Sequence, residues 1–84
     1  MITSLALMSI YKSPAIPLVE VCERYFSLSY EEALKKAARN ELPVPAFRLT
    51  SSRKAPMMVS AEALGAWIDK NESEARKSWE RSQV

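Results

Sequence analysis

Residues 27–43 read SLSYEEALKKAARNELP, and this stretch decides the fold. Ser29, followed three residues later by Glu32, forms a capping-box pattern, which predicts that a helix begins there. The residues that follow are good helix formers as far as Arg39. Asn40 tolerates the left-handed conformation that ends many helices, and the prolines beyond it forbid any continuation. We therefore predict a short helix with a defined start and a defined end.

This predicted helix has two chemically different faces when its residues are placed at 100° intervals. The inner face is small or apolar and is predicted to hold Tyr30, Leu34, Ala37 and Ala38. The outer face is charged and mostly basic, and is predicted to hold Glu32, Lys35, Lys36 and Arg39. A short helix with a basic outer face is typical of a DNA-recognition helix.

A second helix is predicted just upstream, opened by Pro17. Its apolar side chains recur at three- and four-residue spacing, at Leu18, Val21, Cys22, Tyr25 and Phe26. Residues 27–29 leave only a short connection between the two helices, and two helices joined in this way form a helix-turn-helix. Cys22 fits the core better than it fits a reactive thiol, because it lies within the apolar pattern.

Downstream of the recognition helix the apolar pattern changes to a period of two. Phe47 and Leu49 alternate with polar residues, which predicts a strand over residues 46–50 with its apolar side inward. Residues 56–59 predict a second strand, and the segment between the two is polar and basic. Two strands with a basic tip after a helix-turn-helix are typical of a wing. The predicted fold class is therefore mostly α with a small β-hairpin, a winged helix-turn-helix.

The N-terminal segment predicts a first helix from Thr3 or Ser4 to Lys12, with a strand as the alternative. Because it is apolar on nearly all sides, we expect it to be buried in its own domain or against a second copy. Residues 13–17 contain two prolines and predict a turn.

The C-terminal segment predicts a last helix capped by Ser60. Its apolar stripe is predicted to hold Leu64, Trp67, Ile68 and Ala75. Gly65 would permit close packing, and Asn71 with Ser73 suggests a break. Trp79 needs a surface to pack on, either in its own domain or in a second copy. We expect a homodimer that pairs the two ends of the chain and binds a two-part DNA site, with recognition helices about 34 Å apart.

Composition limits the classes of function. With 84 residues we expect one domain over residues 1–84, with a helical tail from about residue 70. Six basic side chains and one acidic one fall in residues 35–54, a local net charge of +5, against +2 for the whole chain. This segregation points to an anionic partner, although a solvated charged face is the alternative.

The sequence offers little for catalysis or for a cofactor. There is no His and only one Cys, which argues against a zinc site, and one Gly leaves no phosphate-binding loop. We therefore expect no enzyme activity and no cofactor. The single Cys fits a reducing compartment, and the N-terminal apolar stretch is too short to span a bilayer. We expect a cytoplasmic protein with no membrane partner.

Three segments, IPLVEVCERYFSLS, NELPVPAFRL and KAPMMVSAEALGAWID, together resemble the pyocin activator family over about residues 5–79. This family comprises small bacterial and prophage transcription regulators. The layout is also similar, more distantly, to excisionase-type and AlpA-type winged helix-turn-helix proteins. The resemblance implies sequence-specific binding to double-stranded DNA and activation of bacteriocin or prophage genes, with RNA polymerase as a further candidate partner. Two departures are the acidic start of the recognition helix, at Glu31 and Glu32, and Asn40 where glycine is usual.

The candidate DNA-binding residues fall into two groups. On the recognition helix they are Ser29, whose position at the N-terminus suits a phosphate, and the outward Lys35, Lys36 and Arg39. In the wing they are the polar and basic residues Arg48, Ser52, Arg53 and Lys54, placed to contact the DNA backbone or minor groove. Glu32 either caps Ser29 or accepts a hydrogen bond from cytosine N4. The alternative function is a phage-encoded protein-binding accessory factor or anti-repressor with the same fold.

Overall fold

The computed structural model describes residues 2–83, and the first and last residues lie outside this range. The elements follow in the order α1 (Ile2–Tyr11), β1 (Ala15–Pro17), α2 (Leu18–Phe26), α3 (Tyr30–Ala38), β2 (Met58–Ser60) and α4 (Ala61–Ser82). The predicted fold class is confirmed, because the chain is mostly helical, with a small antiparallel sheet and a helix-turn-helix followed by a wing. Along residues 2–83, no helix has the length and apolar character needed to cross a membrane.

Strand β2 holds the other elements together through its backbone. It pairs antiparallel with β1 over three residue pairs. Flanking hydrogen bonds lengthen the pairing at both ends: the N–H of Leu18 donates to the carbonyl of Met57, and the N–H of Ala61 to that of Pro14, each at 2.8 Å. Leu18 and Ala61 are the first residues of α2 and α4. The sheet therefore fixes the points from which both helices start.

The other edge of β2 pairs with a single residue. The N–H of Phe47 donates to the carbonyl of Met58 at 2.9 Å, and the N–H of Met58 donates back at 2.7 Å. The strand predicted over residues 46–50 is therefore wrong, since only this bridge forms and Leu49 is 70% exposed. Between Phe47 and Met57 no side chain is buried, so burial does not drive additional pairing.

The main partner of β2 lies in a segment that the sequence predicted as a turn. Residues 13–17 contain β1, and that prediction was wrong. The second predicted strand exists, but it spans Met58–Ser60. Pro17 is the last residue of β1 and the N-cap residue of α2. Its missing N–H costs nothing there, because the start of a helix leaves backbone N–H groups without intrahelical partners.

Helices α2 and α3 form the predicted helix-turn-helix. The connection over residues 27–29 is confirmed, and Ser27 takes the left-handed conformation with φ of 56°. The N–H of Leu28 donates to the carbonyl of Cys22 at 3.0 Å, which satisfies the end of α2. The predicted inner face of α2 is also confirmed, and Cys22 is a core residue with 1% of its surface exposed.

Helix α1 packs against the first half of α4 at Gly65. A Cβ atom at Gly65 would lie 2.8 Å from the backbone nitrogen of Ser4 and 3.0 Å from its Cα. One residue earlier in α1, the hydroxyl of Thr3 donates to the Asp69 carboxylate at 2.5 Å. The one glycine of the sequence therefore serves close packing of two helices.

Helix α1 is less buried than its composition predicted. Ser4 and Leu7 are buried, but Ile2, Leu5 and Ile10 are exposed. Within its own domain α1 is buried on one side only, because it lies at the edge of the domain and α4 is its main neighbour. Burial against a second copy, the other alternative, stays a prediction.

Helix α4 runs without interruption through the predicted break. The amide of Asn71 donates to the carbonyl of Trp67 at 2.9 Å, so this side chain bonds within the helix and does not end it. Trp67 packs edge-on against Phe26, with ring centroids 5.2 Å apart. Trp79 is 63% exposed, which excludes its packing in the core of its own domain, and Ala75 is exposed as well.

Replacing Gly65 by Ala should destabilise the protein, although Ala favours a helix over Gly by about 1 kcal/mol. The new Cβ would meet the Ser4 backbone at 2.8 Å, and α1 cannot move away without losing its contacts with α4. Ser73→Ala, at an exposed position of the same helix, is the control and should be neutral or slightly stabilising. Urea unfolding measures both variants. A Gly65→Ala protein more stable than the parent would contradict this account of the α1–α4 contact.

Candidate nucleic-acid interface

The start of α3 is fixed by the predicted capping box, which is confirmed. The Ser29 hydroxyl oxygen accepts from the N–H of Glu32 at 3.2 Å. The Glu32 carboxylate in turn accepts from the Ser29 hydroxyl at 3.0 Å and from its N–H at 3.4 Å. Of the two interpretations of Glu32, the structure therefore supports the capping partner. Both side chains are satisfied by each other before any ligand is present.

The end of α3 is fixed by the backbone. Asn40 takes the left-handed conformation with φ of 56°, as predicted. Its N–H donates to the carbonyl of Ala37 at 3.1 Å, and the N–H of Glu41 donates to the carbonyl of Lys36 at 2.8 Å. These two bonds form a Schellman motif, which satisfies carbonyl groups that the end of a helix leaves free. The helix is thus held at both ends.

The inner face of α3 is centred on two alanines. Ala33 and Ala37 are buried, and Tyr30 and Leu34 flank them as half-buried residues. The prediction that Ala38 faces inward is wrong, because Ala38 is exposed. Ala33 and Ala38 are chemically identical, so composition could not tell which of them the core takes. At 100° per residue, the position opposite the buried alanines lies between residues 35 and 39.

The three basic residues of α3 do not share one environment. Lys35 and Arg39 are exposed, whereas Lys36 is half-buried at the side of the helix. Arg39 lies 3.9 Å from the Glu41 carboxylate, and both side chains are mostly exposed, at 71% and 51%. An exposed ion pair of this length contributes little to stability, so the Arg39 guanidinium remains accessible to another anion.

The wing is the loop over residues 48–57, closed at its base by the bridge between Phe47 and Met58. Arg48 braces the loop, because its Nε donates to the carbonyl of Ala55 at 3.1 Å. Ser52 shapes the tip: its hydroxyl accepts from the N–H of Lys54 and its carbonyl accepts from the N–H of Ala55, both at 3.1 Å. Among the predicted wing residues, Arg48 and Ser52 therefore have structural contacts of their own.

The tip of the wing presents Arg53 and Lys54 to solvent. No ion pair within residues 2–83 involves either of them. The structure thus gives two basic groups, one on α3 and one on the wing, joined by residues 40–47. Within this link Val44 is buried, and residues 42–46 line a groove of about 330 Å³ against Ala37 and Asn40.

The predicted site residues thus divide by what they contact. Lys35, Arg39, Arg53 and Lys54 extend into solvent, while Ser29, Glu32, Arg48 and Ser52 hold the backbone that presents them. The sequence did not identify Ala38 as part of the exposed face beside Lys35. Within the described part of the chain, no three His, Cys, Asp or Glu side chains are grouped so that they could hold a metal ion.

Comparison with known protein families identifies the family of this chain. The family model described as Pyocin activator protein PrtN matches residues 3–75. The chain matched no curated protein and no solved structure. The family match includes both helices of the helix-turn-helix, the wing, the sheet and most of α4. The chain therefore belongs to the pyocin activator family and is, in general terms, a regulator of pyocin genes.

Proposed function

We propose that this protein binds double-stranded DNA sequence-specifically and activates the pyocin or prophage genes that it regulates, without catalysing a reaction. The observation that carries the proposal is the exposed face of α3, where Lys35 and Arg39 lie opposite the buried alanines, one turn beyond the exposed Glu31. Helix α3 is the second helix of a helix-turn-helix, and this is the helix that enters the major groove in proteins of that kind.

The roles proposed for the α3 residues follow from their surroundings. Lys35 and Arg39 carry donors that suit guanine O6 and N7 or phosphate oxygens. The exposed methyl group of Ala38 lies on the same side and suits a thymine methyl. Ser29 and Glu32 satisfy each other, so their proposed contribution is to hold α3 at a fixed angle to the duplex. The Glu32 carboxylate at the helix N-terminus also disfavours a phosphate there.

The wing contributes affinity more than sequence preference. Arg53 and Lys54 at its tip suit phosphates or the minor groove, where contacts carry little base information. Arg48 keeps the loop closed through its bond to Ala55 and leaves its terminal guanidinium nitrogens for a phosphate. In this proposal α3 contacts the bases and the wing contacts phosphates. Specific DNA-binding proteins commonly separate the two kinds of contact in this way.

Activation requires that bound protein recruit or stimulate the transcription machinery, so RNA polymerase is the proposed further partner, in the cytoplasm. The rival function is a protein-binding accessory factor or anti-repressor. Salt separates the two, since DNA binding through about six phosphate contacts loses roughly a thousandfold in affinity between 50 and 200 mM salt. Gel shifts of the full chain on genomic fragments, repeated at several salt concentrations, test this. Binding to no fragment at low salt would refute the proposal.

Replacing Lys35 and Arg39 together by Ala should lower the affinity for the specific site by roughly 30-fold or more, because two contacts of about 1–3 kcal/mol each sum to about 2–6 kcal/mol. Lys36 is left unchanged because its half-buried stem contributes to packing. The matched control is Lys77→Ala with Arg81→Ala, which removes the same two charges from exposed positions of α4. Equal losses in the two double variants would mean that only net charge matters and that α3 is not the recognition helix.

Replacing Arg53 and Lys54 together by Ala should weaken binding to specific and random duplexes by similar factors. The slope of log affinity against log salt should flatten by up to about two units if both side chains touch phosphates. Fluorescence anisotropy with labelled duplexes measures both quantities. A lost sequence preference with an unchanged salt slope would show that the tip contacts bases.

A further inference from the structure

The second half of α4 projects beyond the packed part of the domain. Helix α4 has 22 residues, and its buried residues are Ala61, Leu64 and Gly65. Every residue from 69 to 83 is exposed. At 1.5 Å per residue this exposed tail, defined here as residues 69–83, is about 20 Å long.

A projecting helix of this length gains little stability from its own contacts. Isolated helices of about 12–15 residues are marginal in water, and most helical stability comes from packing an apolar face. The Arg76 guanidinium donates to Glu72 at 2.5 Å, one helical turn away, but such an exposed pair adds only about 0.2–0.5 kcal/mol. We therefore expect the tail to pack against another protein surface.

The tail has one side suited to packing. Ile68, Glu72, Ala75, Trp79 and Ser82 follow one another at spacings of four and three residues, which is the spacing of a coiled-coil seam. This set is called the α4 seam. It starts at the half-buried Ile68 and ends beyond Trp79, whose indole is 63% exposed. The opposite side of the tail is charged and includes Lys70, Lys77 and Arg81.

We propose that the α4 seam packs antiparallel against the α4 seam of a second copy of this chain, which gives a homodimer. In an antiparallel pair, the first residue of one seam faces the fourth residue of the other seam, and the second residue faces the third. Trp79 then lies on the part of Ile68 of the second copy that its own core leaves exposed, and Glu72 faces the small Ala75 of the second copy. The two contacts are repeated by the two-fold axis, as an isologous interface requires.

The charged residues on and beside the α4 seam favour a second copy of this chain as the partner, in the antiparallel direction. In a parallel pair, Glu72 would face Glu72 of the second copy, and two like charges would share the seam. In the antiparallel pair, Asp69, which also accepts from Thr3 of its own chain, comes next to Arg76 of the second copy, which pairs with Glu72 of its own helix. This places opposite charges side by side twice. The seam is therefore complementary to itself in one direction only. This self-complementarity is the reason to assign the tail to a second copy and not to another protein.

The dimer has a consequence for DNA that rests on the proposed function. A two-fold axis through the paired tails relates the two copies of α3, so the operator would have two-fold symmetry. Half-sites would then be spaced by whole helical turns, about 34 Å or a multiple of it.

Sedimentation equilibrium of the full chain without DNA tests the dimer directly. The parent protein should be dimeric at tens of micromolar, and Trp79→Ala should raise the dimer dissociation constant by about tenfold or more, because buried Trp side chains dominate interfaces. Trp79 has no role in the core, so the domain should remain folded. The control Lys77→Ala, on the opposite side of the tail, should leave the constant unchanged. A monomeric parent, or equal dimerisation of Trp79→Ala and the parent, would overturn the proposal.

Cysteine cross-linking tests the direction. Glu72→Cys and Ala75→Cys proteins are mixed and oxidised. The antiparallel pair predicts that the mixed disulfide, which joins position 72 of one variant to position 75 of the other, forms in preference to either homodimer product. Equal or preferred homodimer cross-links would indicate a parallel pair and overturn the proposal. The native Cys22 is buried and does not take part.

The outcomes for the dimer and for DNA binding are separable. A monomer that still binds its site specifically would refute the α4 pair and leave the proposed function intact. A dimer that binds no DNA would support the α4 pair and refute the proposed function.

Discussion

The pairing of β2 along both edges is the constraint on which the other elements depend. On one edge, the bonds of Leu18 to Met57 and of Ala61 to Pro14 fix the starts of α2 and α4. On the other edge, the bridge to Phe47 closes the wing. A shift of register by one residue would turn the fully buried Val59 to solvent. Three residues of strand can therefore set the positions of two helices and a loop, because a one-residue shift would expose Val59.

The candidate interface depends on a helix that cannot stabilise itself. Helix α3 has only nine residues, so its stability comes from its ends and its inner face. The capping box and the Schellman motif satisfy the backbone at the two ends, while Ala33 and Ala37 allow α3 to lie against the core. Side chains that fix the backbone are thus separate from the side chains that remain free for a ligand. The same separation recurs in the wing, where Arg48 and Ser52 hold the loop that presents Arg53 and Lys54.

Much of the fold was predictable because its signals are local. Capping patterns, prolines and apolar spacing identified all four helices of the described chain and the short turn between α2 and α3. The two strand errors have a common cause. A strand is defined by its partner, and β1 and β2 are separated by some forty residues of sequence, so no local pattern reveals that residues 15–17 pair with residues 58–60. Alternation over residues 46–50 indicated a strand, but β2 offers Phe47 only one pairing position.

The sequence by itself determined the helix-turn-helix, the basic middle third and the resemblance to the pyocin activator family, since each depends on residue order along a short stretch. The tertiary structure decided which charges are available, because helix phase depends on what the core buries. Ala33 is buried and Ala38 is not, which turns Lys35 and Arg39 outward and leaves Lys36 half-buried. It also decided that Trp79 has no place in the core of its own domain. Burial is a property of neighbours distant in sequence, and only the folded chain brings those neighbours together.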